Sequence, residues 1–229
     1  GLGGRILADA NGNGDIKAYI SNPNVNLALN GDGKLDVRAV VGTEGTLTVI
    51  KDLGMKEPFT GQVSLVSGEL GEDFTYYMAN SEQIPSAIGL SVLVDTDDSI
   101  KAAGGFMIQV MPDASDEAIT KVEQNIAAIP LVSRLMENGE TPEQILARIL
   151  GEENVEVLET MPVRFHCDCS RERFAGGLSS IGKDELHEMI VEDHGAEVVC
   201  HFCGEKHHYS EADLQELVTA IDEKRAANI

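Results

Sequence analysis

Cysteine is scarce in this 229-residue sequence and absent from the first two-thirds of the chain. Only four occur: Cys167, Cys169, Cys200 and Cys203. A secreted domain held together by disulfides usually carries more cysteines and distributes them along the chain. The pattern therefore argues against a disulfide framework, and it places the sulfur chemistry in the C-terminal third.

Basic residues are also few, since 17 Lys and Arg stand against 39 Asp and Glu and give a formal net charge of -22 at pH 7. A polyanion is not attracted to nucleic acid or to an anionic membrane surface. The sequence also lacks a run of about eighteen apolar residues, the length needed to span a bilayer. We predict no nucleic-acid partner and no membrane association, and we attribute the acidity mainly to solubility.

Catalytic signatures are missing as well. The sequence shows no Ser/His/Asp or Cys/His arrangement of the kind used in nucleophilic catalysis. It also shows no glycine-rich loop that is followed by the Lys and Ser/Thr of a phosphate site. We therefore expect a protein that is not an enzyme.

Residues 1–112 have the pattern of a sheet domain. The stretch NGNG (11–14), between the predicted strands GRILADA and DIKAYIS, is typical of a hairpin turn. The stretch GDG (31–33) is interpreted in the same way, between the predicted strands VNLALN and KLDVRAVV. Apolar and polar residues alternate in the other predicted strands, which lie in GTLTVIKDL, FTGQVSLVSG, DFTYYMANS and IGLSVLVDTDDSIKAAGGFMIQVMP. The sequence starts without Met in what resembles the middle of a sheet domain. We therefore expect 1–112 to be an N-terminally incomplete core domain of a fragment or processed product.

Residues 113–160 are predicted to form a helical linker. One helix starts at the N-cap Ser115, ends at Pro130 and carries an apolar face made by Ile119, Val122, Ile126 and Ile129. A short helix follows in LVSRLMENG. A capping box then starts a third helix, through Thr141, Pro142 and Gln144, with the apolar face Ile145, Leu146, Ile149 and Leu150. Such short helices are marginal in water, so we expect them to pack on the sheet domain.

Residues 161–229 are predicted to form a small α+β domain that contains the four cysteines, which makes the whole chain α+β. Closely spaced C-x-C and C-x-x-C pairs direct several thiolates at one ion, and four thiolates suit tetrahedral zinc. We predict Cys167, Cys169, Cys200 and Cys203 as ligands of one Zn²⁺. Neighbouring polar side chains are expected near the metal or in solvent, without binding it: His166, His201, His207, His208, Asp168 and Glu205.

Two roles for this zinc unit remain open from the residues alone. A unit of 69 residues (161–229) has a small core, and structural zinc contributes on the order of 10–16 kcal/mol to such a unit. The first role is a permanent structural clamp. The second is a switch in which oxidation to disulfides releases zinc, unfolds the unit and undocks the linker helices. In that case Ile119, Val122, Ile126, Leu146 and Ile149 would help to hold the closed state.

The cysteine motifs and several long segments resemble the Hsp33 family of redox-regulated chaperones. The matching stretches are FHCDCSRERF, CHFCGEKHHYS, ISNP, VGTEGTLTVIKDLG, TGQVSLVSGELGEDFTYYMANSEQIPSAIGL and AAGGFMIQVMP. They occur in family order and cover nearly the whole chain. One departure is that the family usually has several dozen residues before GLGGRILADA, and these contribute to the core domain.

The resemblance implies an ATP-independent holdase of the bacterial cytoplasm that binds unfolded client proteins. The reduced, zinc-bound form is expected to be inactive. Oxidation is expected to form the disulfides Cys167–Cys169 and Cys200–Cys203, to release zinc and to unfold the C-terminal region. The active form is expected to be a homodimer. The competing hypotheses are a constitutive structural-zinc adaptor and an enzyme with an accessory zinc domain, both without a redox switch.

Overall fold

The computed structural model describes residues 1–31 and 35–227, except for the side chains of 224–227. Its contacts divide the chain into two compact units. We call the first the core unit, which comprises Gly1–Arg5 and the described part of Ile20–Thr160. We call the second the cysteine unit, which comprises Ile6–Tyr19 and the described residues from Met161 onward.

Nine strands and eight α-helices are described in these residues. In chain order they are β1 (Ile6–Ala10), β2 (Asp15–Ile20), α1 (Val37–Val41), β3 (Thr46–Lys51), β4 (Phe59–Ser64), α2 (Leu70–Tyr77), β5 (Ser86–Val94), β6 (Ile100–Gln109), α3 (Asp116–Ala128), α4 (Val132–Glu137), α5 (Pro142–Leu150), β7 (Arg164–Phe165), α6 (Arg171–Ile181), α7 (Lys183–Val191), β8 (Gly195–Val199), β9 (Lys206–Ser210) and α8 (Glu211–Ala227). A π-helical turn (Met78–Glu82) follows α2, and a 3₁₀ turn (Glu152–Asn154) follows α5. Both units therefore mix helices with small sheets, and the predicted α+β class is confirmed.

Two antiparallel pairs, β3–β4 and β5–β6, form the sheets of the core unit. All four strands lie in segments predicted as strands from their alternating pattern. The buried Tyr77 of α2 donates a hydrogen bond to Glu82 Oε1 at 2.5 Å, and Lys51 Nζ lies 2.6 Å from the same oxygen. Gly61 of β4 leaves the room for this ring, because a Cβ there would lie 2.6 Å from the Tyr77 hydroxyl.

The predicted linker helices pack on the β5–β6 sheet as expected. Their buried side chains are Val132, Leu135, Ile145 and Ile149, and these pack with Phe106 and Ile108 of β6. The face of α3 that was predicted from periodicity joins them through Val122, Ile126 and Ile129. A buried hydroxyl pair, Ser91 of β5 and Ser133 of α4, lies 2.5 Å apart and fixes α4 on the sheet.

The helix ends of this region agree with the sequence signals. Ser115 accepts a hydrogen bond from the backbone N–H of Ala118, as an N-cap does. Thr141 and Gln144 form a complete capping box at the start of α5. These caps satisfy backbone groups that a short helix otherwise leaves to solvent.

Three strand predictions were wrong, those for DFTYYMANS, KLDVRAVV and VNLALN (25–30). The segment DFTYYMANS forms part of α2 and most of the π-helical turn, with Asp73 organising the preceding loop and Tyr77 buried. The segment KLDVRAVV contains α1 instead of a strand, with Asp36 as its N-cap. Residues 25–30 have no regular structure. Most of the predicted GDG turn lies outside the described residues.

Asp73 is a buried carboxylate that holds the loop before α2. Its oxygens accept hydrogen bonds from the backbone N–H groups of Val66, Ser67 and Gly68 at 2.7, 3.1 and 3.0 Å. We expect Asp73→Ala to lower the free energy of unfolding of the core unit by about 2–3 kcal/mol, because three backbone donors, of which Gly68 N is buried, lose a charged acceptor. Urea denaturation followed by circular dichroism measures this. The exposed neighbour Glu72→Gln is the control and should change stability by less than about 0.5 kcal/mol.

The cysteine unit has its own small core. Its buried side chains come from α6, α7, β9 and α8: Leu178, Leu186, Tyr209, Leu214 and Val218. The apolar face of α8 extends further along this cluster, since Leu217 and Ile221 also pack against it. Ser210 caps α8 by accepting a hydrogen bond from Asp213 N at 3.3 Å.

The hairpin predicted at NGNG is confirmed and belongs to the cysteine unit. Strands β1 and β2 are hydrogen-bonded neighbours, and β7 pairs in parallel with the other edge of β2. The sequence predicted the hairpin, but it placed residues 6–19 in the core domain. The division into 1–112, 113–160 and 161–229 stays a prediction.

No helix in residues 1–31 and 35–227 is both long enough and apolar enough to cross a lipid bilayer.

Candidate metal centre

The four cysteines lie on two loops of the cysteine unit. Cys167 and Cys169 follow β7 and precede α6, whereas Cys200 and Cys203 lie in the turn between β8 and β9. This turn is closed by two backbone hydrogen bonds, from Cys200 N to Glu205 O at 2.9 Å and from Gly204 N to Cys200 O at 2.8 Å. Gly204 has φ = 75°, a conformation that favours glycine. We call this closed turn, from Cys200 to Glu205, the knuckle.

The four sulfur atoms converge, and they all lie within 4.8 Å of one another. Cys167 Sγ lies 3.6 Å from Cys200 Sγ, and Cys169 Sγ lies 3.4 Å from Cys203 Sγ. Four sulfurs bound tetrahedrally to zinc at about 2.3 Å would be about 3.8 Å apart. The donor set and its spacing therefore fit one tetrahedral zinc ion. All four residues are free thiols in this structure.

The thiols lie in different surroundings, which shift the pKa values of Cys167, Cys169 and Cys200 in different directions. The contact with Cys203 is the main cause that raises the pKa of Cys169, and burial adds to it. Cys167 accepts a hydrogen bond from the N–H of Cys169, which acts to lower its pKa, but burial and the contacts with Cys200 and Cys203 outweigh this effect, and the pKa is raised. Burial also acts to raise the pKa of Cys200, yet the N–H groups of Cys203 and Phe202 outweigh it and lower this pKa to about 7. Cys200 is also the most buried of the four.

The histidines of this region have other contacts. His201 stacks on Tyr19 with ring centroids 5.5 Å apart, and His207 packs against Phe174. His208 lies 3.4 Å from Glu197, and His166 is exposed. Within the part of the chain that the structure describes, the only cluster of at least three metal-binding groups is the one formed by the cysteines.

Asp168, between Cys167 and Cys169, was predicted to be solvated, and its half-exposed side chain is in addition held by two cations. Lys17 Nζ lies 2.6 Å from Asp168 Oδ1, and Arg173 contacts Oδ2. These partners, Lys17 foremost, lower the pKa of Asp168 to about 2. The hydrogen bond to Asp168 is also the main cause that raises the pKa of Lys17. Sequence reasoning missed Lys17 because 151 residues separate it from its partner.

Tyr19 of β2 was also missed, and it lies against the second cysteine loop. Its ring stacks on His201 and meets Phe202 edge-on, with centroids 5.5 and 5.3 Å apart. Lys17 Nζ lies 5.2 Å from the centre of the Phe202 ring. The only sequence signal for these contacts is that Lys17 and Tyr19 stand at alternate positions in DIKAYI (15–20). Such a pattern is common in half-buried strands, so it does not identify the contacts.

The positions of the sulfurs do not select a disulfide pairing. The separations of 3.6 and 3.4 Å both join the first loop to the second, whereas the resemblance implies bonds within each loop. Because all four sulfurs are mutually close, any pairing requires only local movement. The pairs Cys167–Cys169 and Cys200–Cys203 therefore stay a prediction.

Comparison with known proteins places the chain in one family. A family model described as "Hsp33 protein" matches residues 1–210. The chain is 64% identical over 217 residues to the 33 kDa chaperonin of Enterococcus faecalis, and the match covers 95% of this chain and 73% of that protein. It is 56% identical over 214 residues to the 33 kDa chaperonin of Bacillus subtilis, covering 93% and 73% respectively.

The fold agrees with a solved structure of the same name. The crystal structure of the 33 kDa chaperonin of Thermotoga maritima superposes with a TM-score of 0.88 at 40% sequence identity, covering 97% of this chain and 76% of that one. The four sulfurs lie together in the chain that carries these similarities. The chain therefore belongs to the Hsp33 family of redox-regulated molecular chaperones.

Proposed function

We propose that this chain is a redox-switched, ATP-independent holdase whose sensor is the group formed by Cys167, Cys169, Cys200 and Cys203. The observation that carries the proposal is the convergence of four free thiols within 4.8 Å in a member of the Hsp33 family. In the reduced state the four cysteines would hold one Zn²⁺ as thiolates. The ion, when bound, supplies the cross-link between the two cysteine loops.

Oxidation would convert the four sulfurs into two disulfides, Cys167–Cys169 and Cys200–Cys203. Each S–S bond forms with the loss of two electrons, so two bonds reduce two molecules of hydrogen peroxide. The peroxides take up four protons, from thiols or solvent, and leave as four water molecules. Disulfide sulfurs are poor metal ligands, so the cross-link between the loops is lost with the thiolates.

The cysteine unit has little else to hold it once the two loops separate. Five buried apolar side chains form its core, and a domain of this size usually requires a metal or disulfides between distant segments. A bond within C-x-C closes a very short loop and restricts the unfolded chain little. Unfolding of the unit is therefore the expected consequence of oxidation.

Release of client-binding surface is the next step of the proposal. Helix α4 packs on the β5–β6 sheet, and α3 and α5 join it in one apolar cluster that includes Val132, Leu135 and Ile149. When the chain that follows them unfolds, they would undock and expose both their apolar faces and the sheet. Unfolded proteins, which expose apolar side chains, are the partners this surface fits.

The remaining features of the proposal follow the family. The protein would act in the bacterial cytoplasm as a homodimer in its active state, without nucleic acid and without catalysis. The three functional segments would be the core at 1–112, the linker at 113–160 and the zinc domain at 161–229. The alternatives are a constitutive structural-zinc adaptor and an enzyme with an accessory zinc domain, and both would keep zinc under oxidant.

The test follows zinc and activity on one sample. The zinc-loaded protein is treated with hydrogen peroxide at mildly elevated temperature while a chromophoric chelator reports zinc release. Light scattering of a heat-denatured client is recorded before and after treatment. We expect release of one zinc per chain and suppression of aggregation by the oxidised protein alone. Retention of zinc, or equal suppression in both states, would contradict the switch and favour a structural clamp.

A further inference from the structure

Strand β2 contacts the residues that separate the cysteines in both motifs. Asp168 is the single residue between Cys167 and Cys169, and it is bound by Lys17. The two residues between Cys200 and Cys203 are His201 and Phe202, and Tyr19 packs against both. Lys17 also lies over the Phe202 ring. Two side chains on one face of one strand, Lys17 and Tyr19, thus engage both cysteine loops.

The backbone of β2 holds the chain that enters the first loop. Arg164 N donates to Gly14 O at 2.9 Å, and His166 N donates to Ile16 O at 3.0 Å. The Arg164 side chain also pairs with Asp15 at 2.7 Å. Gly14 is closed in by the same segment, because a Cβ there would lie 2.2 Å from Pro162 O. The register of β2 with β7 therefore fixes the residue directly before Cys167.

These contacts oppose the movement that oxidation requires. To bond within C-x-C or C-x-x-C, two sulfurs of one loop must close from within 4.8 Å to about 2 Å, and we infer that this local movement turns the intervening residues. Asp168 would then leave Lys17, and His201 and Phe202 would leave Tyr19. Lys17 is held firmly in place, since its side chain is only 14% exposed and also pairs with Asp9 at 3.3 Å.

We propose that Lys17 and Tyr19 are positioning residues of the thiol sensor, through which β2 restrains both cysteine loops and sets how readily oxidant opens the site. The inference rests on the proposed redox function. The proposal also gives the β1–β2 hairpin a role in the response to oxidant. When the cysteine loops move away from Lys17 and Tyr19, β2 loses the contacts that hold it in the cysteine unit. The hairpin continues at both ends into the core unit, so this strand links the sensor to that unit along the chain.

The test compares rates of zinc release under peroxide at a temperature where the reduced protein stays folded. Lys17→Met and Tyr19→Ala should release zinc about three to ten times faster than the unmodified protein, because each removes one set of loop contacts. Lys17→Arg and Tyr19→Phe should restore the original rate. The matched control is Lys206→Met, because Lys206 pairs with Glu197 at 3.0 Å in the same unit without touching the residues between the cysteines.

Rates within twofold of the unmodified protein for both Lys17→Met and Tyr19→Ala, or an equal acceleration by Lys206→Met, would overturn the proposal. If the variants lose zinc before peroxide is added, hydrogen exchange on the unmodified protein decides. Amides of residues 15–20 should lose protection as zinc leaves, and full protection after complete release would refute the restraint. Failure of the redox function is seen separately, as zinc release in the unmodified protein that does not switch on aggregation suppression.

Discussion

Replacing Cys167 and Cys200 together by serine will abolish zinc binding and unfold the cysteine unit. One ligand is removed from each loop, so two sulfurs remain where tetrahedral zinc requires four. The free energy that zinc supplies to such a unit, on the order of 10–16 kcal/mol, exceeds the total stability of most small domains. We therefore expect less than about a tenth of the zinc content of the unmodified protein, by analogy with unfolded metal-free zinc domains.

Unfolding of the cysteine unit in this variant should remove the dependence on oxidant. Hydrogen exchange should show lost protection in residues 161–227 and retained protection in β3–β6. Suppression of client aggregation should be the same with and without peroxide, because the sensor no longer exists. The control is Glu205→Gln, which changes an exposed side chain beside the knuckle and leaves all four sulfurs. A double variant that stays folded and silent, as reduced protein does, would disprove the link between zinc and the closed state.

Helix boundaries were predictable because their signals are local. The N-cap Ser115 and the capping box of Thr141 and Gln144 each involve residues within one turn, and both were found where predicted. The strand prediction for DFTYYMANS was wrong because aromatic composition was taken as a sheet signal. The decisive contacts there are the hydrogen bonds from Val66, Ser67 and Gly68 to Asp73. Neither the geometry of these hydrogen bonds nor the burial of Asp73 can be predicted from the sequence.

Of the candidate site, only the convergence of the four sulfurs was predictable from the sequence. Short cysteine spacings force two thiols close together, so the convergence of two such pairs follows from their chemistry. The partners of the loops do not follow, since Lys17 and Tyr19 reach residues about 150–180 positions away. From the sequence, the hairpin near the start of the chain was assigned to the core domain because the neighbouring segments are predicted strands of that domain. Its membership of the cysteine unit is a result of tertiary contacts.

Replacing Gly104 by leucine should switch the protein on without removing zinc. Gly104 of β6 lies directly under α4, where an added Cβ would lie 2.4 Å from Met136 Sδ and 3.2 Å from Val132 Cγ1. The methionine can move for one methyl group, but a leucine needs space that α4 and the Ser91–Ser133 contact occupy. Overpacking of this kind costs about 1–3 kcal/mol, which is comparable to what a short helix gains by docking.

We expect Gly104→Leu to suppress client aggregation in the reduced, zinc-loaded state to at least half the extent of the oxidised unmodified protein. Hydrogen exchange should show lost protection in α4 and α5 while residues 161–227 stay protected. The control is Ala103→Leu, on the exposed opposite face of the same strand. Activity with one zinc per chain would mean that the linker helices alone cover the binding surface, and that the cysteine unit acts only through them. If α4 and α5 undock and the protein stays silent, the surface lies elsewhere, and unfolding of the cysteine unit must itself supply it.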